Sequence, residues 1–496
     1  MIKKIWLLVF LSVFQVGLHA EQLKKTPNHN FKQTERIYTK LVSGSTPDVA
    51  GLMLFANLLP KGGDLHHHFS GSIYVENYLD WIKERDFCIF RITDAKLRIE
   101  QYRVSTNPKA LSSEQKQNCL SVEEVLKDNL FYRNLLMTWS SKDYSNHFHF
   151  QTPPDKHFFD TFRYFENISP FGYEVGLELL KNRAKQENVS YIETMLRSSP
   201  TIVNTEVTEI FKSLKPNSTQ AEILIVLAQA FNIFKNLPDT NSKVEEYLNL
   251  IDSSSKGIDD DTFKMRFLAY TSRNTSPEIV FSRLYTGFAA ANAGKKVVGV
   301  NIVGAENHHI AMRDYGLHMN MFAFLKSQFP NVKLSLHAGE LVLGMVPPEG
   351  LRSHISEAVM VARANRIGHG IDIPHEANAI DLLKHMAKNK IALEVNLTSN
   401  KDILGVKGGD HPLSIYRAFK VPYVISTDDS GISRNNLSGE YLIYIRDYRP
   451  TYKELKNTAY NSIRFSFLTD KEKEIELKKL DTKFAEFESK IASTPY

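Results

Sequence analysis

From about residue 60 onwards, hydrophobic positions form short, nearly continuous apolar runs that alternate with amphipathic helical patterns. Runs of this kind are typical of parallel strands that are buried on both faces. The predicted strands are one around Leu65, followed by residues 190–196, 222–227, 296–303, 332–337, 366–369, 391–396 and 422–427. Eight strand–helix units of this kind predict a closed (β/α)8 barrel of the TIM type.

Three segments flank or interrupt this alternation. Residues 21–59 carry apolar positions at helical spacing on either side of a Gly-Ser-Thr-Pro break, and they predict an N-terminal helical extension. Residues 87–150 show only weak periodicity and predict an insertion after the first strand. The Lys- and Glu-rich segment 452–493 predicts one or two solvated helices that close a barrel domain spanning residues 60–496.

The first 20 residues have the layout of a cleavable secretory signal. Two lysines precede an apolar run that is short for a membrane span, and the small residue Ala20 follows it. We therefore expect an exported, periplasmic or extracellular protein without stable membrane insertion after signal cleavage; a retained anchor is the alternative. In an oxidising compartment Cys88 and Cys119 have the opportunity to pair, although the sequence does not show whether their geometry allows it.

Composition and charge narrow the class of partner. The chain has 496 residues, of which 42% are hydrophobic and 24% charged, as in globular proteins with a large core. The formal net charge of +5 is spread along the chain and forms no basic block of the kind expected of a nucleic-acid binder. We therefore expect a small-molecule partner and no nucleic acid.

Reactive residues gather at the carboxyl ends of the predicted strands, where the loops of a (β/α)8 barrel build the active site. They are His66, His68, Gly304, Glu306, His337, Glu340, His369, Asn396, Asn400, Asp428 and Asp429. His66 and His68 are two apart on a strand, so they point to the same side and can ligate one ion. Three histidines and a carboxylate suit zinc, and Glu340 is the candidate for a carboxyl that gains and releases a proton.

Other candidate groups have two interpretations. His147 and His149 also have ligand spacing, but their loop-like flanks favour ordinary polar contacts over a metal site. Three phenylalanines before the second strand either roof the site or pack in the core as part of an amphipathic helix: Phe158, Phe159 and Phe162. The histidines that fit no position at a strand end are expected to be structural: His308, His309, His354, His375, His385 and His411.

Four motifs stand in chain order: Lys61-x-x-Asp-Leu-His66-x-His68, Ser335-x-His337-Ala-Gly-Glu340, Arg366-Ile-Gly-His369-Gly and Ser426-Thr-Asp428-Asp429. Together they resemble the motifs of the metal-dependent adenosine deaminases. The secreted adenosine deaminase-related growth factors look most similar, because they share the Pro-Lys-Gly lead-in, an exported chain, an N-terminal helical extension and a cysteine-bearing insertion. The likeness covers most of the chain from residue 60 to about residue 440.

The resemblance implies one Zn²⁺ per chain, held by His66, His68, His337 and Asp428. In that family the histidine matching His369 orients the attacking water, and the glutamate matching Glu340 protonates the purine at N1. The aspartate matching Asp429 binds N7, and the backbone N–H of the glycine matching Gly304 binds N3. Water adds at C6 and ammonia leaves, which converts adenosine to inosine.

The chain departs from the family pattern at the sugar. After the first His-x-His motif, family members carry an aspartate that contacts the ribose, whereas this chain has Phe69 and Ser70. A hydrogen bond from Ser70 would be weaker than one that involves a charged partner. We therefore expect modest ribose discrimination and acceptance of 2′-deoxyadenosine.

The expected function is zinc-dependent deamination of adenosine, and two alternatives stay open. One is a related aminohydrolase acting on adenine, AMP or an N6-modified purine, although no cluster of basic residues near the motifs is clearly reserved for a phosphate. The other is a non-catalytic nucleoside-binding or signalling protein on the same barrel. A nucleic-acid-editing deaminase is disfavoured because such zinc sites use H-x-E with P-C-x-x-C. The N-terminal helices pack either on the main domain or in a homodimer.

Overall fold

The computed structural model describes residues 27–94, 99–144, 152–215, 217–294 and 296–495. Its strands are β1 (Gly62–His68), β2 (Cys88–Asp94), β3 (Ile99–Ser105), β4 (Cys119–Leu120), β5 (Val189–Met195), β6 (Lys264–Ser272), β7 (Val297–Val303), β8 (Lys333–Ala338), β9 (Arg366–His369), β10 (Ala392–Val395) and β11 (Tyr423–Ile425). The predicted signal at residues 1–20 and the pair His147 and His149 lie outside the described residues.

The helices are numbered in the same way. They are α1 (Pro27–Val42), α2 (Val49–Leu58), α3 (Phe69–Ser72), α4 (Val75–Glu84), α5 (Ser113–Gln117), α6 (Val122–Lys127), α7 (Asn129–Trp139), α8 (Pro154–Phe165), α9 (Tyr173–Gln186), α10 (Thr205–Lys212), α11 (Gln220–Asn236), α12 (Pro238–Ser254), α13 (Pro277–Asn292), α14 (His309–Gln328), α15 (His354–Met360), α16 (Ala379–Asn389), α17 (Leu397–Leu404), α18 (Leu413–Ala418), α19 (Ser430–Ser433), α20 (Leu437–Tyr448), α21 (Tyr452–Arg464) and α22 (Asp470–Ala492). Among the described residues, none of the helices combines the length and the apolar character needed to cross a membrane.

Eight strands pair side by side in the order β1-β5-β6-β7-β8-β9-β10-β11. All seven pairings between these neighbours are parallel. The two edges meet through backbone hydrogen bonds, in which His68 N–H donates to Asp428 O (3.3 Å) and Asp428 N–H donates to His66 O (2.9 Å). The predicted (β/α)8 barrel is confirmed, and its closure brings the first and last strands of the site together.

One predicted strand is wrong. Residues 222–227 lie inside helix α11, which begins with a capping box between Thr219 and Glu222. The β-branched run suggested a strand, but the buried positions Val226, Leu227, Ala230 and Phe234 recur at helical spacing. The third barrel strand is β6 instead, in which Lys264 and Arg266 are only partly buried and interrupt the apolar pattern.

The segment after α4 folds into a small antiparallel sheet in the order β3-β2-β4, followed by α6 and α7. Cys88 and Cys119 form a disulfide that joins β2 to β4, with their Cα atoms 5.4 Å apart. A cross-link that closes a loop of this length stabilises a fold by about 3 kcal/mol. The segment docks beside the barrel mouth, because Ser141 N–H donates to Ile432 O (2.8 Å) just beyond β11.

The N-terminal helices pack on the C-terminal helices of the same chain. Tyr38 donates to Pro450 O (2.8 Å), and Thr34 donates to Glu488 O (3.2 Å). The rings of Phe55 and Phe487 meet edge to face with centroids 5.1 Å apart. The apolar face of the extension is thus covered within the chain, while a homodimer through these helices and a domain boundary at residue 60 stay predictions.

Candidate active site

Four side chains converge at the carboxyl end of the barrel: His66 and His68 from β1, His337 from β8, and Asp428 just after β11. Their ligand atoms all lie within 4.8 Å of one another. The Nε2 atoms of His68 and His337 are 3.2 Å apart. Asp428 Oδ1 lies 3.2 Å from Nε2 of His68 and 3.5 Å from Nε2 of His66. The structure therefore brings together the four predicted metal ligands.

Buried acceptors fix the orientation of two of these imidazoles. His66 Nδ1 lies 2.7 Å from Glu394 Oε2, and His337 Nδ1 lies 2.9 Å from Asn301 Oδ1. Because both partners accept, each Nδ1 carries the proton and each Nε2 turns its lone pair to the common centre. The sequence analysis missed Glu394 and Asn301. Their signal was a polar residue inside a buried apolar strand, which is rare unless it has a partner.

A chain of hydrogen bonds sets the tautomer of His369. Leu413 N–H donates to His411 Nδ1 (3.1 Å), so His411 Nε2 carries the proton and donates to Asn400 Oδ1 (3.2 Å). Asn400 Nδ2 then donates to His369 Nδ1 (2.9 Å). His369 therefore presents an Nε2–H donor to the centre and not a ligand lone pair. His411, expected to be only structural, helps to position this group.

The two adjacent aspartates are held in opposite protonation states. Although burial opposes ionisation, His66 and His68 hold the pKa of Asp428 well below its usual value. Burial and the neighbouring Asp428 raise the pKa of Asp429 well above its usual value. Asp429 fits here because residue 71 is glycine: a Cβ there would lie 1.6 Å from Asp429 Oδ1. Asp428 is thus an ionised ligand, and Asp429 is a protonated donor.

Glu340 is the second protonated carboxyl at neutral pH. Burial, together with the negative charges of Asp428 and Glu306, raises its pKa well above the usual value. Its Oε1 lies 3.6 Å from His369 Nδ1. A buried acid of this kind can give a proton to a bound base and recover it later.

These groups open into a cavity of about 670 Å³ at the barrel mouth. The residues predicted to contact substrate all line it: Ser70, Gly304, Glu340, His369, Asp428 and Asp429. The phenylalanines on α8 also line it, so they roof the site: Phe158, Phe159 and Phe162. Phe69 instead turns away and packs on the ring of Tyr173, with centroids 5.4 Å apart.

The donor set fits a divalent metal ion. Two Nε2 atoms at 3.2 Å repel each other unless a cation lies between them, and His66 Nε2 is buried without a hydrogen-bond partner. Although burial alone would lower it, Asp428 and Glu394 raise the pKa of His66 to about 10. The carboxylates therefore attract positive charge to this point, which a metal held by imidazole nitrogen and carboxylate oxygen supplies.

Known proteins with similar sequences are deaminases. An adenosine deaminase of Clostridium acetobutylicum is 29% identical over 186 residues, which is 37% of this chain and 51% of that protein. An adenosine deaminase of Clostridium perfringens is 24% identical over 417 residues, covering 84% of this chain and 96% of that protein. The first match thus spans only about half of the relative, whereas the second spans nearly all of it.

Solved structures with the same fold include an adenine deaminase from Arthrobacter aurescens (TM-score 0.53, 17% identity, 85% of this chain and 98% of that chain). An N6-methyl-AMP deaminase from Arabidopsis gives a TM-score of 0.52 at 17% identity, with 86% and 99% covered. An amidohydrolase from Burkholderia ambifaria with bound Zn gives 0.51 at 15% identity, with 89% and 95% covered. At these identities the likeness shows the fold alone.

A (β/α)8 barrel with a cluster of three histidines and an aspartate at its mouth, beside a protonated glutamate, is a metal-dependent aminohydrolase. A sequence model of the family described as adenosine deaminase matches residues 173–483 of the 496. The chain belongs to the adenosine deaminase family.

Proposed function

We propose that the protein catalyses the zinc-dependent hydrolytic deamination of adenosine, and of 2′-deoxyadenosine, to inosine and ammonia. The observation that carries this proposal is the pairing of the four-ligand centre with two buried, protonated carboxyls, Glu340 and Asp429, in one cavity. A 6-aminopurine presents ring nitrogens that accept hydrogen bonds, so it matches two such donors.

One Zn²⁺ held by His66, His68, His337 and Asp428 would lower the pKa of a water molecule towards neutrality. Glu340 gives its proton to N1 of the purine, which makes C6 electrophilic. His369 Nε2–H donates to the oxygen that adds at C6. Asp429 donates to N7, and the proton lost by the attacking water leaves with the amino group as ammonia.

The backbone and the roof of the cavity would hold the purine ring. Gly304 has φ of 101°, a conformation that favours glycine and lets its backbone N–H approach N3 closely. The phenylalanines of α8 supply apolar surface for the faces of the ring. Ser70 lines the cavity where the family aspartate would contact the sugar, which supports acceptance of the 2′-deoxy substrate.

A second candidate is a related aminohydrolase that acts on AMP or an N6-modified AMP. The observation in its favour is Arg197, an exposed cation that lines the cavity and offers a partner for a phosphate. The nearby Glu166 also lines the cavity and would repel that phosphate. Free nucleosides therefore remain the favoured substrates over nucleotides.

An ultraviolet assay of the zinc-loaded protein separates these candidates. Adenosine, 2′-deoxyadenosine, adenine, AMP and N6-methyl-AMP would be compared by kcat/KM. We expect the two nucleosides to be the best substrates, within about tenfold of each other, since one hydrogen bond contributes about 0.5–1.5 kcal/mol. A nucleotide preference would favour the second candidate. No turnover of any of them by protein with bound zinc would favour a non-catalytic binding protein.

We also propose export to the periplasm or the extracellular space and membership of the secreted growth-factor-like branch. The signal-like layout of residues 1–20 and the Cys88–Cys119 disulfide support both. Fractionation of producing cells, with N-terminal sequencing of the mature chain, is the test. A full-length chain retained in the cytoplasm would contradict the proposal.

A further inference from the structure

The backbone that carries Glu340 is held from behind by another glutamate. Glu306, which follows β7, accepts the Gly339 N–H on Oε1 (3.0 Å) and the Glu340 N–H on Oε2 (3.1 Å). Both oxygens of one carboxylate are therefore used on two consecutive amides. Glu340 lines the substrate cavity, whereas Glu306 is buried behind the loop.

Glu306 is itself fixed by two cationic or donor groups. His354 Nδ1 donates to its Oε1 (2.5 Å), and the His354 ring lies flat on Tyr315 with centroids 3.6 Å apart. Arg273 places Nη1 3.3 Å from Oε2 and donates from Nη2 to the carbonyl of His337 (2.7 Å). One network thus connects the backbone of a metal ligand to the backbone of the predicted proton donor.

We propose that Glu306 is a positioning residue for Glu340, whose place in the cavity it fixes through the backbone and whose side chain it influences through its charge. This inference rests on the proposed function. It assigns a role to a strand-end residue that the catalytic scheme leaves unused, and to His354 and Arg273 as its supports.

The loop geometry explains why such a clamp is needed. Gly339 has φ of 74°, and a Cβ there would lie 2.3 Å from Asp372 Oδ1 and 2.7 Å from Ile355 Cγ1. The chain therefore turns sharply in a tight space, directly before Glu340. A displacement of about 1 Å of a reacting group can cost about 100-fold in rate, so fixing these two amides protects the alignment of the carboxyl.

The charge of Glu306 adds an electrostatic effect to the clamp. Although burial opposes ionisation, Arg273 and His354 hold the pKa of Glu306 at about 2. The resulting negative charge helps to raise the pKa of Glu340, so that its carboxyl keeps a proton. Removing the charge while keeping the shape should weaken both effects at once.

The test compares Glu306→Gln with Glu376→Gln. Glutamine keeps the shape but has one acceptor oxygen, so its amide N–H₂ group faces a backbone donor. Glu376 is a matched control, since this buried carboxylate also accepts two consecutive amides, Ile355 N–H (2.7 Å) and Ser356 N–H (3.0 Å), at the start of α15. We expect Glu306→Gln to lower kcat by about 10- to 100-fold with KM within about threefold, as for partners of metal ligands. Glu376→Gln should leave kcat within about twofold.

Hydrogen–deuterium exchange of both variants gives a readout that does not depend on turnover. Glu306→Gln should speed exchange in peptides that report the amides of residues 339–340, and Glu376→Gln should speed it at residues 355–356. Bound zinc should stay at the wild-type level in both. Unchanged exchange at residues 339–340 in Glu306→Gln, or equal kcat in the two variants, overturns the proposal. An inactive wild type would refute the proposed function, while the exchange data would still decide whether the clamp exists.

Discussion

The two sides of the cavity are built differently. On the metal side His66 is fully buried, and His66 and His337 are each fixed at Nδ1 by a side chain of the barrel interior. On the rim, Glu166, Asn167 and Arg197 are exposed and lie on loops or helix ends. The difference indicates that the groups for chemistry are preorganised, whereas the groups for substrate choice lie where sequence can change without disturbing the barrel.

The largest expected effect is on the metal side. Glu340→Gln keeps the shape of the side chain and removes the proton that it would give to N1. We expect kcat for adenosine to fall by about 1,000-fold, within the range for loss of a general acid. Zinc content and thermal unfolding should match the wild type. Activity within tenfold of the wild type would remove Glu340 from the mechanism and weaken the contrast with the rim.

A smaller effect is expected when only a partner of a ligand changes. Glu394→Gln leaves His66 in place but removes the charge next to its Nδ1. Zinc affinity, measured by competition with a chelator, should fall by about 10- to 100-fold. The control Ser335→Ala removes a hydroxyl that donates to Glu394 (2.8 Å) and should change the affinity less. Equal affinities in all three proteins would show that the buried partner does not tune the centre.

The sequence predicted the metal side well because strand ends in a barrel converge whatever the loops do. His66, His68, His337 and Asp428 were placed together from spacing and order alone, and the structure unites them. The partners behind them, such as Glu394, depend on contacts between strands far apart in the chain, which local pattern does not carry.

The third strand shows the same limit on the prediction of the fold. The run at residues 222–227 has strand-like composition, but its cap and its tertiary contacts place it in α11. Strand β6 escaped notice because Lys264 and Arg266 interrupt it, and Arg266 is neutralised by Asp259 and by the distant Glu472. Long-range ion pairs of this kind are invisible to hydrophobic periodicity.

On the rim, changes at Ser70 should have modest effects. Ser70→Ala should lower kcat/KM for adenosine by about two- to tenfold, the worth of one hydrogen bond. Ser70→Asp restores the charge that family members carry near the sugar, so the preference for adenosine over 2′-deoxyadenosine should rise. A loss of 100-fold or more in Ser70→Ala would place the rim on the same footing as the metal side.

The smallest effect on turnover is expected in the segment after α4, outside the barrel strands. Cys88→Ser together with Cys119→Ser removes the disulfide and should lower the free energy of unfolding by about 3 kcal/mol. Because neither cysteine lines the cavity, kcat at 25 °C should stay within about twofold. Urea unfolding and adenosine turnover would be measured on the same sample, and a large loss of kcat would tie this segment to catalysis.

The central claim is that one zinc ion at His66, His68, His337 and Asp428 enables deamination of a 6-aminopurine nucleoside. The most direct test removes metal with a chelator and titrates zinc back while the rate of conversion of adenosine to inosine is followed. The account predicts negligible activity without metal, a linear rise, and saturation at one zinc per chain. Full activity in the metal-free protein, or none with one zinc bound, would contradict it.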